Sequence, residues 1–158
     1  MKNHNTTPAE RTQALLDRAR RYCALSEQCE SGVRQKLIAW GAATTDIDPI
    51  VRQLRSDSYL DDERYARAYC ESKLLHQSWS RQKVLYQLRL KRLPKEAIDN
   101  GMAAVDEEAY LDQLRATAAH KLQELGGPDD PDADRRLTTF LLALGFTMDE
   151  INQATNNR

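Results

Sequence analysis

Asp61, Asp62 and Glu63 form the densest run of potential metal ligands in the sequence, and three adjacent carboxylates are a set that a divalent cation can use. They directly precede Arg64-Tyr65-Ala66-Arg67, however, so they stand where a helix begins. Asp61 can accept the free amide protons of the first turn, while Asp62 and Glu63 meet the positive end of the helix. Leu60 and Tyr65 are placed as a hydrophobic staple. Capping accounts for these acids without a metal. His4, His76 and His120 are scattered without ligand spacing. Cys23, Cys29 and Cys70 are odd in number and lack CxxC or Cys/His patterns, which predicts reduced thiols rather than disulfides or a zinc site. There is no glycine-rich phosphate loop and no nucleophile in a motif with a base. The residues therefore predict a protein without catalytic groups or cofactors.

The chemistry they do suggest is binding. Between Arg64 and Lys95 lie nine bases and one acid, Glu71, whereas from Gly101 onward eleven acids face five bases, although the net charge is only −1. One acid leaves few local partners for so many cations. Arg64, Arg67, Lys73, Arg81, Lys83, Arg89, Lys91 and Arg92 are the candidate contacts to a partner or to nucleic acid. Phosphate and carboxylate attract guanidinium alike, so the target's chemistry stays open at this point. Tyr22, Tyr65, Tyr69 and Trp40 fall on apolar stripes and read as packing residues, whereas Trp79 and Tyr86 fall off the stripe and are candidates for exposed contacts. The acidic run Asp129 to Asp134 reads as a solvated loop, with a fold back onto the basic middle as the alternative.

These residues must be held by helices. Gly (6) and Pro (5) are scarce among 158 residues, and 41% of the chain is apolar, which favours helix nearly throughout and excludes disorder. Val33, Leu37 and Ile47 return as Val84, Leu88 and Ile98, and again as Leu137, Leu141 and Ile151. A period of about fifty residues predicts an all-α, elongated array of three tandem three-helix repeats. Their spans are 1–57 with a short flexible N-terminus, 58–105, and 106–158. Thr7 and Pro8 open the first helix, which should end near Ser26. Ser31 can cap a helix from Gly32 to Trp40, stopped by Gly41, and a third runs from Thr45 or Asp46 to Arg55, with Pro49 in its first turn. Ser78 or Ser80 caps the helix carrying Val84, Leu85 and Leu88, and Pro94 precedes a short helix through Ile98. A helix from Glu107 to Leu125 carries Tyr110, Leu114, Ala118 and Leu122. After the loop from Gly126, Asp132 or Asp134 caps a helix whose Leu137, Phe140, Leu141 and Leu144 face inward, and Gly145 ends it before Thr147 starts the last. The polar start, Met1 to Glu10, and the lack of a bilayer-length apolar run predict a cytosolic protein.

The run Tyr59-Leu60-Asp61-Asp62-Glu63-Arg64-Tyr65-Ala66-Arg67-Ala68-Tyr69 resembles the signature of the bacterial RecX regulatory proteins. Three further segments match in register: Tyr22-Cys23 through Lys36-Leu37 and Trp40-Gly41, Arg81 to Ile98, and Leu141 through Gly145-Phe146 with Ile151. Arg92 stands where many of those relatives carry glycine. The resemblance implies a monomeric, non-enzymatic modulator that lies in the helical groove of the RecA nucleoprotein filament and lowers its ATP hydrolysis, strand exchange and SOS co-protease activity. Direct DNA binding through the basic middle repeat is a further expectation. The rival readings are a nucleic-acid-binding module that acts without RecA and a general protein-interaction scaffold.

Overall fold

The computed structural model describes residues 6–156. His4, Met1 to Asn5 and the terminal Asn157-Arg158, where the last helix was expected to fray, lie outside the described residues. The described helices fall into three sets of three. The first set is α1 (Pro8–Leu25), α2 (Glu30–Ala39) and α3 (Thr44–Ser56). The second is α4 (Asp62–Glu71), which continues into a π-helical segment over Ser72–His76, then α5 (Arg81–Leu90) and α6 (Lys95–Ala103). The third is α7 (Glu107–Glu124), α8 (Ala133–Ala143) and α9 (Met148–Thr155). Every residue of the recurring triplet is buried, from Val33 and Leu37 at 0% exposure to Ile47 at 7%. The accessible surface of 10066 Å² exceeds the roughly 8,100 Å² expected of a compact 18.1 kDa globule.

Local signals place most helix ends. Thr7 and Glu10 form a capping box on α1, as Thr147 and Glu150 do on α9, and Asp61 and Ser80 accept the amides of Arg64 and Lys83 at 2.9 and 3.1 Å. Others end differently. The hydroxyl of Ser31 does not cap α2, whose N-cap is Cys29, and instead donates 2.9 Å across to the Lys91 carbonyl. Helix α3 begins at Thr44, which puts Pro49 at its sixth residue, beyond the first turn, where the ring forgoes one helical hydrogen bond. Asp132 holds the N-cap position of α8 without capping it, because its backbone is already helical, at φ −94° and ψ −11°, and its carboxylate lies 3.6 Å from the Arg135 guanidinium. Leu144 is 41% exposed rather than inward, since α8 stops at Ala143 and the chain turns at Gly145, φ +97°.

The three sets are not joined alike. One apolar core, containing Ala19, Val33, Leu37, Ile50 and Leu54, belongs to the first set and is closed by Leu60. A second core runs without a break from Leu74 and Leu88 through Tyr110 and Leu114 to Leu141 and Ile151, so the second and third sets share it. Tyr65 packs on that second core and Leu60 on the first, so the expected staple pair is divided between them.

Hydrogen bonds reinforce the shared seam. Buried Ser80 donates 3.0 Å to the Leu144 carbonyl, and the Tyr110 hydroxyl donates to the Glu150 carboxylate, while the Arg81 guanidinium lies 4.1 Å over the Tyr110 ring. Burial first, and the adjoining Glu150 carboxylate second, push the Tyr110 phenol well above the usual tyrosine range, so it stays a donor at any physiological pH. The seam between the first two sets is mainly polar: Arg64 pairs with Glu27, and Arg55 bridges Glu30 at 3.0 Å and Asp62 at 3.3 Å. Cys29 is the buried side chain of the first set that joins the second core.

Helix α6 approaches α4 at Gly101, where an added Cβ would stand 2.9 Å from the Ala66 carbonyl carbon and 3.0 Å from its Cβ. The obstacle is backbone, so α4 and α6 must part to admit it. Overpacking costs about 1–3 kcal/mol, against a helix-propensity gain of about 1 kcal/mol for alanine over glycine. The Gly101→Ala variant should therefore melt about 2–4 °C lower in a thermal scan. An unchanged or raised melting temperature would show that these two helices are free to separate.

Candidate partner interface

The acids that suggested a metal are held apart by three different partners. Asp61 caps α4, Asp62 pairs with Arg55, and Glu63 accepts from Asn100 at 3.2 Å. Among the described residues no group of three or more His, Cys, Asp or Glu side chains is arranged to hold a metal ion. The three cysteines are buried and unpaired. Burial pushes the Cys23 and Cys70 thiols up to about 11, which leaves little nucleophilic thiolate at neutral pH.

The basic residues divide into two groups. Arg64, Arg81 and Lys95 meet carboxylates: Glu27 and Asp61, Glu107, and Asp99 respectively. Two of those three pairs reach across a seam between helix sets, so partners arrive from outside the basic segment, more of them than its single internal acid suggested. Arg64 and Arg81 therefore serve the joints as well as the surface. Arg67, Lys73, Lys83, Arg89, Lys91 and Arg92 have no carboxylate within 4.0 Å among the described residues; Arg67 lines a separate cleft with Glu71 and Asp106 and Arg92 opens on the groove between α2 and α5, while Lys73, Lys83 and Lys91 gather into an open positive face.

That face is organised around two half-buried rings. Tyr69 stacks on Tyr65 with centroids 5.8 Å apart and meets Trp79 edge-on at 6.3 Å. Lys83 lies 3.9 Å over the Trp79 centroid, Lys73 lies 4.7 Å from the same ring and 5.4 Å from Tyr69, and Lys91 lies 5.7 Å from Tyr69. Each such contact holds an ammonium group against a ring while leaving its remaining protons free to bond. The π-helical segment makes this possible: its wider turn seats Leu74 in the core while Lys73 turns over the rings. The Trp79 amide closes the turn on the Lys73 carbonyl at 3.0 Å, and Ser78 takes a positive φ of 57°. Apolar spacing placed Tyr69 in the core and Trp79 outside it, yet the two rings sit side by side at the boundary. The signal that could have joined them is Lys73 four residues after Tyr69 and Lys83 four after Trp79, the one-turn spacing of a ring and a cation on a helix.

Tyr86 is 61% exposed on α5, as its position off the stripe predicts. The acidic loop does not reach this face. Asp130 pairs with Arg136 at 2.7 Å and Asp132 with Arg135 at 3.6 Å, so those acids are taken up beside their own helix.

Three successive three-helix units, with an open cationic face on the middle one, make this a tandem helical-repeat protein. The family pattern described as "RecX, second three-helix domain" matches residues 61–102, the stretch that contains that face. The regulatory protein RecX of Prosthecochloris aestuarii is 28% identical over 142 residues, spanning 90% of this chain and 91% of the relative. That of Cronobacter sakazakii is 27% identical over 153 residues, with 90% and 91% covered. The Clostridium tetani RecX is 24% identical over 87% of this chain, which spans 64% of the length of that relative. The crystal structure of RecX from Lactobacillus salivarius superimposes with a TM-score of 0.81 at 15% identity, over 94% of this chain and 97% of the other. The chain is thus similar to RecX regulatory proteins over about nine-tenths of its length, and to that family's second three-helix domain over its middle unit.

Proposed function

We propose that this protein is a non-enzymatic regulator that seats along the groove of a RecA nucleoprotein filament and lowers its ATP hydrolysis, strand exchange and SOS co-protease activity. The supporting observation is the coincidence of two independent features in one segment. Residues 61–102 carry the family pattern, and the six bases without internal carboxylates lie between Arg67 and Arg92 in the same stretch. An array of similar helical units offers a long contact surface, which suits a curved polymeric target better than a compact body does. In this reading the protein acts as a cytoplasmic monomer, and any ATP turned over is RecA's own.

The test is the single-stranded-DNA-dependent ATPase of RecA with this protein added below stoichiometry. The rate should fall with a half-effect below one protein per RecA. An unchanged rate at excess protein would reject the proposal. Tight, steeply salt-dependent binding to naked DNA with RecA unaffected would point instead to a nucleic-acid module acting alone.

A further inference from the structure

The two joints between units differ in what closes them. At the second, Leu88 of α5, Leu114 of α7 and Leu141 of α8 lie in one apolar core. At the first, each unit keeps its own core, and the chain divides at a single peptide link. Leu60 belongs to the first unit, with its side chain in that core and its amide on the Leu54 carbonyl at 3.3 Å. Asp61 belongs to the second, since its carboxylate accepts the Arg64 amide at 2.9 Å and its carbonyl the Tyr65 amide at 3.0 Å. Among the described residues no main-chain hydrogen bond connects the chain up to Leu60 with the chain from Asp61 onward. A link held on both sides and free between them is where a change in φ and ψ disturbs least.

Side chains span that link. The Arg64 Nε donates to Glu27, in the turn between α1 and α2, and its Nη2 donates 3.0 Å to the carbonyl of Ser58, whose φ is +62°. Its Nη1 lies 4.0 Å from the neighbouring Asp61 carboxylate. All three guanidinium nitrogens are engaged, two of them on the first unit. Arg55 reaches Asp62 at 3.3 Å, Ser31 donates to the Lys91 carbonyl at 2.9 Å, and Cys29, 5% exposed, enters the second core. The grip on Glu27 uses one carboxylate oxygen. The other, Oε2, is buried with no hydrogen-bond partner among the described residues, a cost that the closed joint carries.

We infer that the Leu60–Asp61 link is a hinge and that Arg64 is its latch, so that the first unit swings as a body against the second and third, which move together. The sequence placed Arg64 among the contacts to a partner. This geometry makes it a positioning residue that sets the bend of the array. A hinge at one end lets a long array follow a curved target with both cores intact. The motion belongs to the free protein and does not depend on which target the array meets.

Spin labels on Ala39→Cys in the first unit and Ala119→Cys in the third, both exposed, report the bend, and a pair on Ala103→Cys and Ala119→Cys reports the second and third units alone. Arg64→Gln should widen the first-to-third distance distribution about twofold and leave the second-to-third distribution as it is. Glu27→Gln should do the same, although it leaves every base in place. Arg81→Gln, which removes the ion pair with Glu107 at the second joint, should widen neither, because the shared core holds that joint. Without labels, the Cys29 thiol should react about three- to tenfold faster with a disulfide reagent in Arg64→Gln while Cys70, inside the second core, keeps its rate. An unaltered first-to-third distribution in Arg64→Gln, or an unaltered Cys29 rate, would overturn the latch. Equal widening of both distributions would overturn the hinge, as would an Arg81→Gln variant that widens the second-to-third distances.

Discussion

Reversing the charge of Lys83, Arg89 and Lys73 together should raise the concentration of this protein needed to halve RecA's ATPase by about a hundredfold. These three side chains have no internal carboxylates, so their reversal breaks no ion pair within the fold; Lys73 and Lys83 do lose their contacts with Trp79, and an unchanged helical circular-dichroism spectrum separates that loss from the effect on docking. Each reversal removes an attraction and adds a repulsion with an oppositely charged surface. Together they should exceed about 2.7 kcal/mol, and each 1.4 kcal/mol is a factor of ten. The control reverses Arg135 and Arg136, whose partners Asp132 and Asp130 lie beside the same helix of the third unit. That control should leave the half-effect within about threefold, given the small worth of exposed pairs. Equal losses from both variants would show that net charge, and not the face on the middle unit, governs the effect.

The protein should also come apart in two steps, and core truncations should tell them apart. Leu37 and Leu88 occupy equivalent positions, both at 0% exposure, but Leu37 lies in the core of the first unit and Leu88 in the core shared by the other two. Cutting either to alanine costs about 2–5 kcal/mol, a large part of the 5–15 kcal/mol that holds a typical domain. Leu37→Ala should therefore speed amide exchange across residues 8–56 and leave α7 through α9 protected. Leu88→Ala should release the second and third units together. The cause is the seam: between the first two units it is mostly ion pairs and the Ser31 to Lys91 hydrogen bond, which water and salt replace at small cost. A single transition, with both variants loosening the whole chain equally, would show that the polar seam couples the cores as firmly as apolar contact does.

The helices and their stops were legible because their signals are local. Thr7, Asp61, Ser80 and Thr147 each bond an amide within three residues, and Gly41 and Gly145 each end a helix in the conformation glycine adopts most readily. The nine-residue apolar recurrence found every core position it named. The errors came where a local rule met a distant partner. Ser31 had a carbonyl sixty residues away to bond, Leu144 was left outside by the turn at Gly145, and the Asp132 carboxylate met the Arg135 guanidinium instead of a first-turn amide. The positive face was visible as a charge count, but its membership was not. Arg64 and Arg81 are drawn toward Glu27 and Glu107, residues that the segment itself does not contain.

The sequence by itself determined that this chain is helical, that it repeats a three-helix unit, and that its middle unit is cationic, because each follows from residue types and spacings within a few turns. The tertiary structure alone decided which units share a core, which cations stay open, and how Tyr69 and Trp79 come to lie side by side beneath three lysines. Those outcomes depend on which surfaces meet, and a meeting of surfaces is set by residues far apart in the chain, whose joint placement no short-range pattern records.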